Sequence, residues 1–144
     1  MFVKTTIRLI AASGIAGIVS VSAFAQVRDA TEQEVRWFTG RWAVGPADAP
    51  GFETIAKSAD CTVAVAITAV GPTTIRRTVR LRSGELHATE FTVKSFNGNF
   101  PWWSKDAAGG PVAKLTDTDS FVLATTRNGK ADWVNAQKHR RCPG

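Results

Sequence analysis

Short segments of alternating apolar and polar residues, each ended by turn residues, cover most of this chain from position 35 onward. Turn signals such as Gly-Pro, Ser-Gly and Asn-Gly separate these segments, and no stretch shows a long helical period. The segments number about eight or nine, at the spacing of about 8–12 residues that is typical of barrels and sandwiches. The pattern therefore predicts an all-β fold, a small antiparallel up-and-down barrel of about eight strands, with a two-sheet sandwich as the alternative.

The clearest hairpin spans residues 73–96 and has Ser83-Gly84 at its turn. A two-residue turn at this dipeptide would place Arg77 opposite Glu90 on the partner strand. Alternation puts Arg77 on the apolar face of its own strand, where a charged group needs a partner. Such a pair would either orient a ligand inside a barrel or lie at the barrel rim.

Two Asn-Gly dipeptides, Asn97-Gly98 and Asn128-Gly129, predict further tight hairpins. Both central positions of a type I′ turn need positive φ, which Asn and Gly adopt more readily than other residues. The second turn would set Thr126 opposite Ala131 and Ala124 opposite Trp133.

Residues 1–25 have the features of an export signal. Lys4 and Arg8 precede and flank an apolar run, and Ala23-Phe24-Ala25 matches the small-x-small cleavage pattern. We expect cleavage after position 25, leaving one domain of residues 26–144 in the periplasm or outside the cell. The apolar run is shorter than the roughly 20 residues of a spanning helix, so we expect no transmembrane segment after signal removal. A permanent N-terminal anchor is the alternative.

The mature domain keeps a net charge of about +4, because only two basic residues leave with the signal. That charge is moderate and does not call for a nucleic-acid partner.

Cys61 and Cys142 are the two cysteines of the chain. In an oxidising compartment the simplest expectation is a disulfide between them, with two free thiols as the alternative.

The adjacent pair Trp102-Trp103 is the most unusual aromatic feature. Neighbouring residues on a strand point to opposite faces, so one ring should be buried and the other exposed. The exposed ring would line a pocket mouth or docking surface for an apolar or aromatic ligand. Alternatively, both rings pack under the 104–111 loop.

The two histidines, His87 and His139, lie far apart and show no metal-ligand spacing. We expect both on the surface, His87 on the same face as a row of arginines: Arg76, Arg80 and Arg82. No nucleophile elbow, phosphate loop or zinc-helix motif is present, so the sequence indicates neither an enzyme nor a cofactor or metal site.

The segment FTGRWAV, residues 38–44, resembles the G-x-W signature of the lipocalin and calycin barrels through Gly40 and Trp42. The resemblance implies an eight-stranded barrel whose base is closed by Trp42, with a late arginine packed across the indole. Three arginines are candidates for that role: Arg127, Arg140 and Arg141. The pairing of a mid-chain cysteine with one near the C-terminus is a second similarity to many lipocalins.

The predicted function is an exported, non-catalytic binding protein for a small apolar or aromatic ligand, with any anionic group of that ligand met by Arg77. Four residues are the ligand-binding candidates: Trp102, Trp103, Arg77 and Glu90. Four others have structural roles: Gly40, Trp42, Cys61 and Cys142.

A second resemblance leads to a different function. The chain is similar to small periplasmic inhibitors of secreted metalloproteases, which are barrels of about this size with an early G-x-W. Their N-terminal segment enters the protease cleft, and residues 26–34 would take that part here. The partner would then be a secreted protease, and the protein a protease inhibitor or interaction module.

Overall fold

The computed structural model describes residues 26–105 and 109–144, and strands dominate both parts. The described residues form eleven strands and one α-helix, which in chain order are β1 (Arg28–Asp29), α1 (Glu32–Trp37), β2 (Gly40–Gly45), β3 (Val65–Ala69), β4 (Thr74–Arg80), β5 (Leu86–Ser95), β6 (Phe100–Ser104), β7 (Val112–Asp117), β8 (Ser120–Ala124), β9 (Thr126–Arg127), β10 (Lys130–Ala131) and β11 (Gln137–Arg141). A 3₁₀ turn at Cys61–Val63 precedes β3.

Eight strands close into an antiparallel barrel in the order β2-β3-β4-β5-β6-β7-β8-β11, and β11 pairs back with β2. This closure confirms the predicted barrel and excludes the sandwich. Strands β9 and β10 form a separate hairpin, and β1 pairs with the end of β5. The expected signal peptide, residues 1–25, lies outside the described residues. In the part of the chain that is described, no helix has the length and apolar character needed to cross a membrane.

Both Asn-Gly hairpins form as predicted. The φ angles are 50° and 76° at Asn97 and Gly98, and 51° and 74° at Asn128 and Gly129. These values fit type I′ turns, whose twist matches that of the flanking strands. Thr126 pairs with Ala131 across the second turn, as expected. The predicted pair of Ala124 with Trp133 is wrong, because β10 ends at Ala131 and Ala124 belongs to β8, where it lies opposite Val112.

The hairpin between β4 and β5 has a longer connection than the predicted two-residue turn. Gly84, with φ of 91°, donates its N–H to the carbonyl of Leu81 over 2.9 Å, and the Leu81 N–H donates to Glu85 O over 2.8 Å. Three residues, 82–84, therefore connect the strands, in a type I turn followed by a glycine bulge. The additional residue moves the register of β5 by one position.

This shift overturns the predicted pairing of Arg77 with Glu90. Arg77 lies opposite Thr89, and Glu90 lies opposite Arg76. Because side chains alternate along a strand, Glu90 points to the outer face, where its carboxylate accepts a hydrogen bond of 2.7 Å from Arg76. Arg77 points inward without that carboxylate.

A cluster of buried aromatic rings fills one end of the barrel, which we call the base. Ring centroids within it lie 4.7–5.9 Å apart, mostly in edge-to-face contacts. Its members are Phe38, Trp42, Phe100, Trp102 and Phe121. Helix α1 packs on this end through the buried Val35. The base is therefore closed by side chains and by a helix.

Arg141 is the late arginine that packs on Trp42. Its guanidinium carbon lies 4.3 Å from the centre of the Trp42 ring, within the range of a cation–π contact. The same group donates to the carbonyls of Thr39 (2.8 Å) and Trp37 (3.1 Å) at the end of α1. Arg141 thus joins β11, the base and the helix in one contact network.

The G-x-W segment needs a glycine at position 40. Its φ is +135°, and a Cβ at this position would approach Nη1 of Arg141 to 2.8 Å.

The predicted disulfide between Cys61 and Cys142 is present, with Cα atoms 5.7 Å apart. It joins the turn before β3 to the end of β11, alongside the Cys142 N–H bond to Arg41 O (2.8 Å).

Candidate functional site

A cavity of about 430 Å³ enters the barrel at the end opposite the base. Strand β4 runs towards this end and β7 begins there, so their end residues form its rim. Apolar atoms make up most of its surface, and its polar side chains are those of Arg77, His87 and four threonines. The large apolar side chains of its lining are Phe52, Ile55, Val79, Leu81, Phe91 and Leu123. Pockets of roughly 300–1,000 Å³ with mostly apolar linings are typical of small-molecule sites.

Arg77 lies on the inner wall of this cavity and is only 8% exposed. Its Nη2 donates to Oε1 of Gln137 over a long 3.4 Å, and its buried Nε has no hydrogen-bond partner in the described part of the chain. The ring of Phe52 lies 5.8 Å from the guanidinium carbon. Among the described residues, no carboxylate forms an ion pair with it. Burial lowers the pKa of Arg77 to about 10, so it stays protonated at neutral pH.

Gln137 and His139 extend from β11 into the same interior, and both are buried. The amide Nε2 of Gln137 donates weakly to Pro46 O over 3.4 Å. The His139 ring stacks on Phe121 with centroids 4.2 Å apart, and its Nε2 has no hydrogen-bond partner within residues 26–105 and 109–144. Burial, and to a smaller extent the charge of Arg77, hold the pKa of His139 well below its ordinary value. The buried imidazole is therefore uncharged at neutral pH.

The expectation that His139 is a surface residue is wrong. The segment QKHRR alternates, with Gln137 and His139 inward and the exposed Lys138 and Arg140 outward. Its basic composition indicated a solvated tail, whereas its period of two is that of a barrel strand. The expectation was wrong because it followed the basic composition of this segment and not its alternation of inward and outward residues.

His87 is exposed, as expected, but it belongs to the other face of its strand. It lies opposite Val79 and lines the cavity rim, with Nε2 3.2 Å from the hydroxyl of Thr89. The expected face was wrong for the same reason as the pairing of Arg77, namely the extra residue in the 82–84 connection.

The two tryptophans point to opposite faces, as alternation predicts. Trp102 is fully buried in the base, and Trp103 is half-buried on the outer face with Lys94 Nζ 4.9 Å from its ring centre. Neither ring lines the cavity, but Trp102 packs against Phe91, which does, at a centroid distance of 5.8 Å. Of the four predicted ligand-binding residues, Arg77 alone lines the cavity. Residues 106–108 of the 104–111 loop lie outside the described part of the chain.

A larger depression, about 900 Å³, crosses β2, β11 and β8. Exposed charged side chains such as Lys138 and Arg140 border it, together with consecutive residues of each strand, so it lies on the outer surface. It contains no buried charge that lacks a partner. The cavity inside the barrel is therefore the better candidate for a ligand site.

Within residues 26–105 and 109–144, no three potential metal ligands cluster together, and both cysteines are in the disulfide. The chain matches no protein-family model, and no curated protein or solved structure matches it either. The lipocalin-like resemblance thus rests on the barrel itself and on the arrangement of Gly40, Trp42 and Arg141.

Proposed function

We propose that this protein is an exported carrier that binds a small apolar or aromatic molecule inside its barrel without transforming it. The observation that carries the proposal is the apolar cavity of about 430 Å³ at the open end. Transfer of apolar ligand surface from water into such a lining is favourable by about 25 cal/mol per Å². The aromatic base closes the other end, so a bound molecule would be shielded on all sides but one.

The disulfide supports the exported part of this proposal. Bonds of this kind persist in oxidising compartments and are rare in the cytosol. The link between Cys61 and Cys142 is consistent with a working place in the periplasm or outside the cell.

The alternative function, protease inhibition, requires a free N-terminal segment at residues 26–34. Much of that segment is attached to the protein. Strand β1 pairs with β5, the Ala30 N–H donates to Val93 O over 3.0 Å, and Asp29 pairs with Lys94 at 2.5 Å. These contacts favour the carrier over the inhibitor.

Two tryptophan substitutions test the proposal, with naphthalene derivatives, long-chain alcohols and fatty acids as probes in calorimetric titrations. Leu81 lines the cavity rim, so L81W fills part of the cavity and should weaken binding at least about tenfold. Leu86 is 66% exposed and absent from the cavity lining, so L86W is the matched control and should bind like the wild type. Equal binding by both variants, or no binding by the wild-type protein, would refute the carrier.

A further inference from the structure

The charge of the ligand, and the direction in which it enters, follow from the groups that line the cavity. We propose that the ligand is a singly charged organic anion that enters head first and places its anionic group on Arg77, with its apolar body towards the barrel mouth. This inference rests on the proposed carrier function.

The first argument is the unsatisfied state of Arg77. A guanidinium has several N–H donors in a fixed fork and no acceptor, and among the described residues this one has a single acceptor, at 3.4 Å. A buried charge without a counter-charge is costly, and buried charges are ordinarily paired. A carboxylate in the cavity would supply the missing acceptors in the planar, bidentate geometry that arginine favours.

The second argument concerns the number of charges. His139 is the other buried basic side chain of the interior, and it is uncharged at neutral pH. The basic side chains of Arg76 and Arg80 point to the outer face of β4. Arg77 is therefore the one Arg, Lys, Asp or Glu side chain in the described cavity lining, and the other basic side chain there, His87, is exposed at the rim. One buried positive charge fits a single negative charge on the ligand.

The third argument gives the orientation. Arg77, Val79 and Leu81 follow one another on the inner face of the β4 hairpin arm towards the rim, and four residues of strand span about 13 Å. The charged group thus lies deep, and the side chains that follow it on β4 towards the mouth, Val79 and Leu81, are apolar. A molecule with the opposite polarity would place its charge at the rim and leave Arg77 without a partner.

Gln137 supplies the side-chain acceptor that Arg77 contacts in the structure. Both of its side-chain hydrogen bonds, to Arg77 and to Pro46 O, are 3.4 Å long. A neutral amide at this distance compensates a guanidinium poorly compared with a charged acceptor. An anionic head group can therefore displace Oε1 at little cost while the amide keeps its bond to the main chain.

The test compares acids with neutral molecules of the same shape by calorimetry: decanoate against decanol, and naphthoate against naphthamide. Each acid should bind the wild-type protein about tenfold or more tightly than its neutral partner. In R77M this ratio should fall to about one while the neutral molecules still bind. R76M changes the neighbouring residue on the outer face and should keep the wild-type ratio.

If R77M does not fold, a second pair of variants tests whether the ligand's anionic group binds Arg77. Thr89 lies directly opposite Arg77, so T89E supplies a carboxylate from the protein itself, whereas T89Q has a similar shape without the charge. Decanoate should bind T89Q at least about tenfold more tightly than T89E. Equal affinity of acids and neutral molecules for the wild type, or a preference that persists in R77M, would overturn the anionic ligand and leave the carrier intact. Failure of all four probes to bind would overturn both.

Discussion

Replacement of Arg77 by methionine should stabilise the ligand-free protein, although it removes a charged side chain from the candidate site. A pKa of about 10 for this buried arginine means that its charged form is disfavoured by about 3 kcal/mol relative to water, at about 1.4 kcal/mol per tenfold change. Methionine fills a similar volume as the arginine stem without carrying that charge.

Two favourable contacts would be lost with the charge. The contact with Phe52 at 5.8 Å contributes about 0.5–1 kcal/mol, and the long hydrogen bond to Gln137 about 0.5–1 kcal/mol. The net expectation is a gain of about 1–2 kcal/mol in the free energy of unfolding. For a domain of this size such a gain raises Tm by about 4–8 °C.

Urea and thermal unfolding of the ligand-free protein measure this effect, with R76M as the matched control. The side chain of Arg76 is 47% exposed and its partner Glu90 is 41% exposed, so R76M should change stability by no more than about 1 kcal/mol. The reasoning fails if R77M is less stable than R76M by about 1 kcal/mol or more, because Arg77 would then be well compensated in the empty barrel.

Three further predictions concern the base, the disulfide and pH. G40A should cost about 1–3 kcal/mol in urea unfolding, and less in an R141M background, because the added Cβ meets Nη1 of Arg141 at 2.8 Å; equal costs in both backgrounds would contradict this. Reduction of the Cys61–Cys142 bond, which closes a separation of 81 residues, should cost about 4–5 kcal/mol of unfolding free energy, and an unchanged urea midpoint would contradict this. Because the pKa of His139 is lowered in the folded state, the unfolded chain binds a proton near pH 6.5 that the folded protein does not bind at that pH. Stability should therefore fall between about pH 7 and pH 5.5, by up to about 1.4 kcal/mol per pH unit, and H139Q should flatten that fall; parallel curves would contradict it.

Local signals in the sequence predicted the features that depend on neighbouring residues. The Asn-Gly dipeptides set two hairpin turns, and alternation placed Trp102 and Trp103 on opposite faces, because both effects operate within a few residues. The disulfide followed from the presence of two cysteines in a chain expected to be exported.

The interior of the cavity depends on longer-range geometry. Ser83-Gly84 is compatible with a two-residue turn and with a three-residue turn that ends in a bulge, and this difference of one residue decides which side chain faces Arg77. Gln137 reaches Arg77 only because β11 closes the barrel against β2 and β8, far from β4 in the chain. No local pattern links these two residues.

The most direct test of the account is a map of amide chemical shifts in the wild-type protein during titration with naphthoate. The account predicts that the largest shift changes occur around the inner cavity, at Arg77, Thr89, Phe91 and Leu123. The amide shifts of Ala43 and Ser120, in the outer depression, should change little. Changes confined to the outer depression, or none at saturating concentrations of the probe, would contradict a ligand site inside the barrel.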